Sequence, residues 1–238
     1  MSKIPLWHEL TVLFGGAFDP PHIGHRQAVR GLFKNPGVKE VWVIPSGTPP
    51  MKSSDTSPAV RLELTRINFS AALSDRRFPT EVRIDTREID PVIQRLSKKP
   101  SYTYDTLLNI KREVPNLAFA VGSDQLAQFS KWHRFPEILG LCHWIFLKRK
   151  PLGEEEVVAW VKEARASNLI QPSRGPGSSP SLWQLLDGKT YLNVVETDAP
   201  LSSSTDVRIE IEKHGKIPEG MLLPEVAEYL MKEHLYGT

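Results

Sequence analysis

The chain has 238 residues, of which 40% are hydrophobic and 24% are charged, a composition typical of a globular protein with a sizeable core. Its 30 basic and 28 acidic side chains give a formal net charge of +2, too small to favour a nucleic-acid surface. No stretch is apolar enough for a membrane span or a signal-peptide core, and the single cysteine, Cys142, excludes an internal disulfide. These features predict a cytoplasmic protein with no membrane or nucleic-acid partner.

Apolar runs of strand length alternate with segments of helical periodicity along the chain. The first half contains predicted strands over residues 10–14, 38–44, 81–85 and 117–121, and predicted helices over residues 23–34, 58–73 and 102–113. The second half contains predicted strands over residues 143–147 and 191–196, and predicted helices over residues 154–166, 205–213 and 223–234. This alternation predicts an α/β fold, a Rossmann-like doubly wound parallel sheet in three α/β/α layers with a small C-terminal helical part.

A single domain is expected to span residues 1–238. Its parts are a Rossmann-like core over about 8–150, an insertion over about 151–190, and a C-terminal strand with helices over about 191–238. Within the insertion, the stretch QPSRGPGSSPS at residues 171–181 is rich in Pro, Gly and Ser, which predicts a solvated loop.

The stretch TVLFGGAFDPPHIGH, residues 11–25, connects the first predicted strand to the first predicted helix. Gly15 and Gly16 would permit a tight turn and a close approach of the backbone to a ligand. The N-terminus of a helix attracts anions, and His22 and His25 share a face of its first turn, where their ring N–H groups could donate to phosphate oxygens. Neither GxGxxG nor GxxxxGK[ST] fits these letters. The stretch therefore predicts a phosphate-binding site of another kind.

The letters HIGH also occur in class I aminoacyl-tRNA synthetases, which makes tRNA charging an alternative. Their second motif, KMSKS, has only a faint echo in MKSSD at residues 51–55, and the chain has no room for an anticodon-binding domain. The full string GG-x-FDP-x-H-x-GH instead resembles a nucleotidyltransferase family. That family includes the pantetheine-phosphate, nicotinamide-nucleotide and nicotinate-nucleotide adenylyltransferases.

Further segments resemble the bacterial nicotinate-nucleotide adenylyltransferases over nearly the whole chain. They are VWVIPSGTPPMK at 41–52, PSYTYDTL at 100–107, VGSDQL at 121–126, FSKWHRF at 129–135, LSSSTDVR at 201–208 and EVAEYLMKEHLYG at 225–237. Pantetheine-phosphate adenylyltransferases share the first motif and an SST-x-[IV]R segment, but they are shorter and lack matches to SYTYDTL and SKWHRF. The resemblance implies adenylyl transfer from ATP to nicotinate mononucleotide, giving nicotinate adenine dinucleotide and pyrophosphate in NAD biosynthesis.

The resemblance also implies which residues handle ATP. The attacking phosphate oxygen is already anionic near pH 7, so the enzyme must supply in-line placement and charge stabilisation rather than a general base. The side chains expected to do so are His22, His25, Lys52 and Arg208, with Mg²⁺ on the pyrophosphate. The residues expected to bind ATP are Gly15, Gly16, Ala17, Phe18, His22, His25, Gly122, Ser123, Asp124, Ser203, Ser204, Thr205 and Arg208. Asp124 would accept hydrogen bonds from a ribose hydroxyl.

For nicotinate mononucleotide, the resemblance implies stacking of the pyridine ring on Trp132. The backbone N–H groups of Thr103 and His133 would donate to its carboxylate, and Lys52 would contribute its charge. An amide in place of the carboxylate would leave a donor unpaired, which costs about 1–3 kcal/mol. The acid form should therefore be preferred over the amide form.

Two departures from the family pattern affect the expected site. Met51 stands where the family usually has a histidine before the lysine, and Ser202 stands where an isoleucine commonly precedes SST. Two alternatives remain open at this point. One is an adenylyltransferase that prefers nicotinamide mononucleotide, and the other is a nucleotide-binding protein that has lost catalysis. The sequence does not indicate an oligomeric state.

Overall fold

The computed structural model describes residues 8–35, 37–50, 56–70, 81–90, 100–149, 153–173, 181–185, 187–200 and 202–238. In that part of the chain the α-helices are α1 (Ile23–Leu32), α2 (Pro58–Phe69), α3 (Thr103–Ile110), α4 (Leu126–Phe129), α5 (Glu154–Ala166), α6 (Ser204–His214) and α7 (Pro224–Lys232). The strands are β1 (Leu10–Gly16), β2 (Val38–Pro45), β3 (Val82–Ile84), β4 (Leu117–Gly122), β5 (His143–Arg149), β6 (Ile170–Pro172), β7 (Leu182–Leu185) and β8 (Tyr191–Thr197).

All eight of these strands belong to one sheet, in the order β3-β2-β1-β4-β5-β8-β7-β6. The strands from β3 to β8 pair in parallel, and β7 and β6 continue the sheet as antiparallel strands. Parallel strands with both faces covered are apolar almost throughout, which explains runs such as LAFAV in β4. The predicted Rossmann-like α/β fold is confirmed.

Helices cover both faces of the sheet. On one face, Val29 and Leu32 of α1 pack in a cluster with Phe69 of α2 and the inner residues of β1, β2 and β4. On the other face, Leu107 of α3 and Trp160 of α5 belong to a second cluster that includes residues of the same strands and of β5. The two clusters join helices to each face of the sheet, so the fold has the three predicted layers of helices, sheet and helices.

The C-terminal helices form a third apolar cluster beside α2. Val207 and Ile211 of α6 and Val226 and Leu230 of α7 pack with Leu64 of α2. This contact places the predicted C-terminal helical part next to the loop that follows β1, where Ile23 donates a backbone hydrogen bond to the carbonyl of Met221.

Local sequence explains where several helices begin and end. Ser57 caps α2 by accepting a hydrogen bond from the N–H of Val60, and Pro58 occupies the first helical position. Three glutamates fill the first turn of α5, where negative charge is favoured by the helix dipole. Gly215 ends α6 with a left-handed conformation, φ 59°.

The edge hairpin β6–β7 was not predicted from the sequence. Its strands have three and four residues and flank a stretch rich in Pro, Gly and Ser, so no periodic pattern reveals them. Residues 174–180 lie outside the described part, and the solvated loop predicted there stays a prediction, as does the assignment of residues 1–238 to one domain. Within the described ranges, no helix is long and apolar enough to cross a membrane.

Candidate active site

The candidate site lies where the carboxyl ends of β1 and β4 meet. The two strands are neighbours in the centre of the sheet, but the chain leaves β1 for α1 on one face and β4 for α4 on the other. In open α/β sheets, ligands bind in the crevice that such a reversal creates at the carboxyl ends of the strands. The segment that follows Gly16 and the segment that follows Gly122 both begin at this crevice.

Gly15 and Gly16 are the last two residues of strand β1, and neither has a positive φ. The prediction of a tight turn at this pair is therefore wrong. A Cβ atom on Gly15 would lie 3.0 Å from the ring of Phe119, and one on Gly16 would lie 3.0 Å from the ring of Phe18. A larger residue at either position would therefore have to push a phenylalanine ring aside. The left-handed backbone comes later, at Phe18 with φ 53°, followed by a cis peptide bond between Asp19 and Pro20.

His22 and His25 lie at the start of α1 with their ring centroids 3.7 Å apart. The predicted shared face is therefore present. The backbone N–H of His22 donates to Nδ1 of His25 at 3.2 Å. Because Nδ1 accepts this bond, the neutral His25 ring carries its proton on Nε2, which makes Nε2 the donor of that ring. The Phe18 ring packs edge-on against His25, with centroids 5.1 Å apart.

His22 is only 1% exposed, and burial lowers its pKa to about 4. The positive charge of Arg149 lowers the pKa further, whereas Asp124 and Asp206 oppose this effect. The ring is therefore neutral at pH 7. Its Nδ1 lies 3.4 Å from the hydroxyl of Ser202, so the departure from the family pattern at Ser202 places a polar group against this histidine.

Asp19 holds the loop between β1 and α1 through contacts with three distant segments. Its Oδ1 accepts hydrogen bonds from the hydroxyls of Thr56 at 2.6 Å and Tyr236 at 2.5 Å. Its backbone carbonyl accepts a hydrogen bond from Nη1 of Arg208 at 2.6 Å. Arg208, expected from the sequence at the phosphates, therefore reaches the loop that precedes His22.

Arg61 of α2 joins this loop to the end of β2. Its side chain is fully buried, and its guanidinium donates to the carbonyls of Ala17 at 3.0 Å, Ser46 at 2.5 Å and Gly47 at 2.6 Å. Sequence reasoning missed Arg61 because an arginine inside an amphipathic helix is usually a surface residue. Its position fixes the backbone of Ala17, one of the residues expected at ATP.

The start of α6 also contacts the loop before His22. Ser203 caps the helix: its hydroxyl accepts from the N–H of Asp206 at 3.1 Å and donates to the Asp206 carboxylate at 2.7 Å. The hydroxyl of Ser204 donates to the carbonyl of Pro20 at 2.8 Å, whereas Thr205 is exposed. The three residues are brought to the site, but two of the hydroxyls are engaged within the protein.

On the other side of the site, Gly122 is the last residue of β4, and Ser123 and Asp124 follow it at the carboxyl end of the strand. Nη2 of Arg149, the last residue of β5, lies 3.4 Å from Oδ1 of Asp124, and its Nη1 donates to the carbonyl of Ser202 at 3.1 Å. Sequence reasoning missed Arg149. The available signal was its place at the carboxyl end of the strand next to β4.

Three of the four residues expected to bind nicotinate mononucleotide, Thr103, Trp132 and His133, lie in the described part of the chain. The ring of His133 stacks on Tyr102, with centroids 4.2 Å apart, and Thr103 is the first residue of α3. Trp132 is half-buried and packs edge-on against Phe119. Phe119 is also the ring that a Cβ on Gly15 would meet, so it connects the indole to the end of β1. Lys52 and Met51 lie outside the described residues.

Comparison with known proteins identifies the family. The sequence model of the cytidylyltransferase-like family matches residues 13–209. A protein of Pectobacterium atrosepticum, named a probable nicotinate-nucleotide adenylyltransferase, is 30% identical over 237 residues, which are 95% of this chain and 98% of the relative. The chain belongs to the cytidylyltransferase-like family, in the group of the nicotinate-nucleotide adenylyltransferases.

Other nicotinate-nucleotide adenylyltransferases match over similar lengths. A protein of Cronobacter sakazakii with the same name is 28% identical over 236 residues, 95% of each chain. The structure of Plasmodium falciparum nicotinic acid mononucleotide adenylyltransferase complexed with NaAD aligns with a TM-score of 0.65 and 20% identity, covering 96% of this chain and 98% of its own. The same enzyme complexed with APC also gives a TM-score of 0.65. At this identity the structural likeness is one of fold.

Proposed function

We propose that this protein catalyses adenylyl transfer from ATP to nicotinate mononucleotide, a step in NAD biosynthesis. The observation that carries the proposal is the pair of adjacent imidazoles at the N-terminus of α1, directly after the loop that follows β1. The names of the relatives support this activity. The neighbouring enzyme, determined with NaAD, offers the same fold for that chemistry.

The reaction joins two nucleotides by one displacement at phosphorus. A 5′-phosphate oxygen of the mononucleotide attacks the α-phosphorus of ATP, and the bond from that phosphorus to the bridging oxygen breaks. Pyrophosphate leaves with the electron pair. Since the nucleophile is already an anion, the protein must bring two anions together and stabilise the charge on the phosphates.

The site residues suit this task as donors and cations. His25 would donate from Nε2 to a phosphate oxygen, and the N–H groups at the start of α1 would contribute their dipole. His22 would act as a neutral donor, because its lowered pKa keeps the ring uncharged. Arg149 and Arg208 would supply positive charge. Lys52 stays a prediction from the sequence.

Mg²⁺ would arrive on the phosphates of ATP. Nucleotidyltransferases of this kind generally use ATP with a divalent metal. Among the residues that the structure describes, no group of three or more His, Cys, Asp or Glu side chains is arranged to hold a metal ion. The crevice instead offers imidazole and guanidinium donors, which complement phosphate oxygens. Mg²⁺ commonly binds through substrate phosphates and water, so this donor set fits a metal carried by ATP.

The acceptor would lie along α3 and the segment around Trp132. The pyridine ring would stack on the half-buried indole of Trp132, and the N–H of Thr103, as the first residue of α3, has no acceptor within its own helix. The carboxylate of nicotinate would accept from the backbone N–H groups of Thr103 and His133, whereas the amide of nicotinamide would present an N–H₂ group to one of them. This arrangement supports nicotinate over nicotinamide as the substrate.

Pyrophosphate release with Mg-ATP tests the proposal directly. The purified protein is given nicotinate mononucleotide, nicotinamide mononucleotide or phosphopantetheine, with and without excess EDTA. We expect turnover of the nicotinate form, at least tenfold slower turnover of the amide form, and no turnover with EDTA. Equal or faster use of the amide form would overturn the acceptor, and no pyrophosphate from any acceptor would indicate a binding protein without catalysis.

The variant His25→Asn tests the role of the imidazole pair. We expect a loss in kcat of about 100-fold or more, similar to the removal of one donor from a charge-stabilising site. His214→Asn is the matched control, because His214 is exposed at the end of α6 and pairs with Glu210. Normal turnover by His25→Asn would contradict the proposed role.

A further inference from the structure

We propose that Tyr236 is a positioning residue that holds the loop between β1 and α1 in its ATP-binding conformation through Asp19. This inference rests on the proposed function, since it names a residue that serves the same site. It adds Tyr236, a residue outside all the segments that are expected to bind phosphates.

The hydroxyl of Tyr236 donates to Oδ1 of Asp19 at 2.5 Å. Asp19 is 2% exposed, so its carboxylate depends on protein donors rather than water. Burial and the bond to Asp19 raise the pKa of Tyr236, which keeps the hydroxyl protonated and able to donate. A hydrogen bond to a buried carboxylate is among the stronger kinds.

The backbone around Tyr236 is held in a conformation that non-glycine residues rarely adopt. Tyr236 has φ 59° and His234 has φ 49°, both in the left-handed region, and each costs free energy. The turn is fixed to α7, since the hydroxyl of Thr238 donates to the carbonyls of Leu230 at 2.9 Å and Leu235 at 3.0 Å. This short turn therefore contains two residues in the left-handed conformation, and that conformation directs the side chain of Tyr236 to Asp19.

Asp19 transmits this contact to the histidines. It lies three residues before His22, in the loop whose carbonyl groups are held by Arg208 and Ser204. Removing the Tyr236 hydroxyl would take one hydrogen-bond donor away from the buried carboxylate of Asp19. Since Asp19 must then shift or draw in water, the backbone that leads to His22 would lose its fixed position.

The test compares two conservative variants by affinity and by turnover. Tyr236→Phe removes only the hydroxyl, and Tyr229→Phe on α7 removes a hydroxyl from a tyrosine outside the proposed binding machinery. For Tyr236→Phe we expect a Kd for Mg-ATP about tenfold weaker and a kcat at least tenfold lower, with less than a threefold change in KM for nicotinate mononucleotide. Tyr229→Phe should match the parent in all three.

A second position keeps the test decisive if Tyr236→Phe does not fold. Thr56 donates to the same Oδ1 at 2.6 Å, so Thr56→Val should weaken Mg-ATP binding in the same direction, and Thr56→Ser should restore it. ATP affinity within twofold of the parent in Tyr236→Phe, or in Thr56→Val where the first variant is unfolded, would overturn the inference. So would a lower Tm with unchanged Kd and kcat. An inactive parent would refute the proposed function alone, since the Kd values for ATP still decide this inference.

Discussion

At the scale of single residues, the burial of His22 has a measurable consequence for stability. The folded-state pKa of about 4 lies below the ordinary value of 6.5, so between these values the unfolded chain binds more protons than the folded one. The stabilising contribution is therefore fully present above about pH 6.5 and is lost as the pH falls towards 4. A shift of this size corresponds to roughly 3 kcal/mol.

The variant His22→Gln isolates this effect. We expect the free energy of unfolding, measured with urea, to fall between pH 7.5 and pH 4.5 by about 2 kcal/mol less in the variant than in the parent. Other buried groups, including His143, titrate in both proteins and cancel in the comparison. Identical pH dependence in the two proteins would mean that His22 is protonated as readily in the fold as in the unfolded chain.

Arg149 connects two segments at the strand ends and acts electrostatically on a third. It contacts Asp124 after β4 and the carbonyl of Ser202 before α6, and its charge acts on His22. We expect Arg149→Met to raise the KM for ATP about tenfold or more, because the cation that we propose at the triphosphate would be lost. Lys148→Met is the control, since Lys148 pairs with Glu154 and Glu196. Similar KM values for parent and Arg149→Met would exclude Arg149 from the phosphates.

At the scale of elements, the capping box at the start of α6 gives the side chain of Ser203 a structural role rather than a ligand-binding role. Because the only hydroxyl proton of Ser203 already goes to Asp206, its side chain has no proton to donate to a nucleotide. We expect Ser203→Ala to lower the free energy of unfolding by about 1 kcal/mol while the KM for ATP changes less than threefold. A large rise in KM with unchanged stability would instead place this hydroxyl at the ligand.

The elements that the sequence predicted are those with strong, continuous patterns. The centres of the parallel strands β1, β2, β4 and β5 are mostly apolar, and α5 was predicted with its observed bounds because its acidic start is distinct. The hairpin β6–β7 was missed because short edge strands carry no such pattern. The glycine turn was predicted wrongly, since two glycines look the same whether they turn the chain or, as here, leave room for aromatic rings.

At the scale of the whole molecule, the crevice collects residues from the entire length of the chain. His22 follows β1, Asp124 follows β4, Arg149 ends β5 and Arg208 lies in α6, and only the strand order brings them together. The sequence predicted the residues that belong to contiguous motifs. It could not reveal contacts such as Tyr236 with Asp19, because no local pattern pairs side chains 217 positions apart.

Because the site is assembled from so many segments, ATP should stabilise the folded protein as a whole. A ligand that binds only the folded state at 100 times its Kd adds about 2.7 kcal/mol. For a chain of this length we expect Tm to rise by roughly 5–10 °C with saturating Mg-ATP, measured by calorimetry. CTP at the same concentration is the control and should raise Tm by less than half as much. Equal shifts would mean that the crevice binds phosphates without distinguishing adenine, and no shift with ATP would exclude the crevice as its binding site.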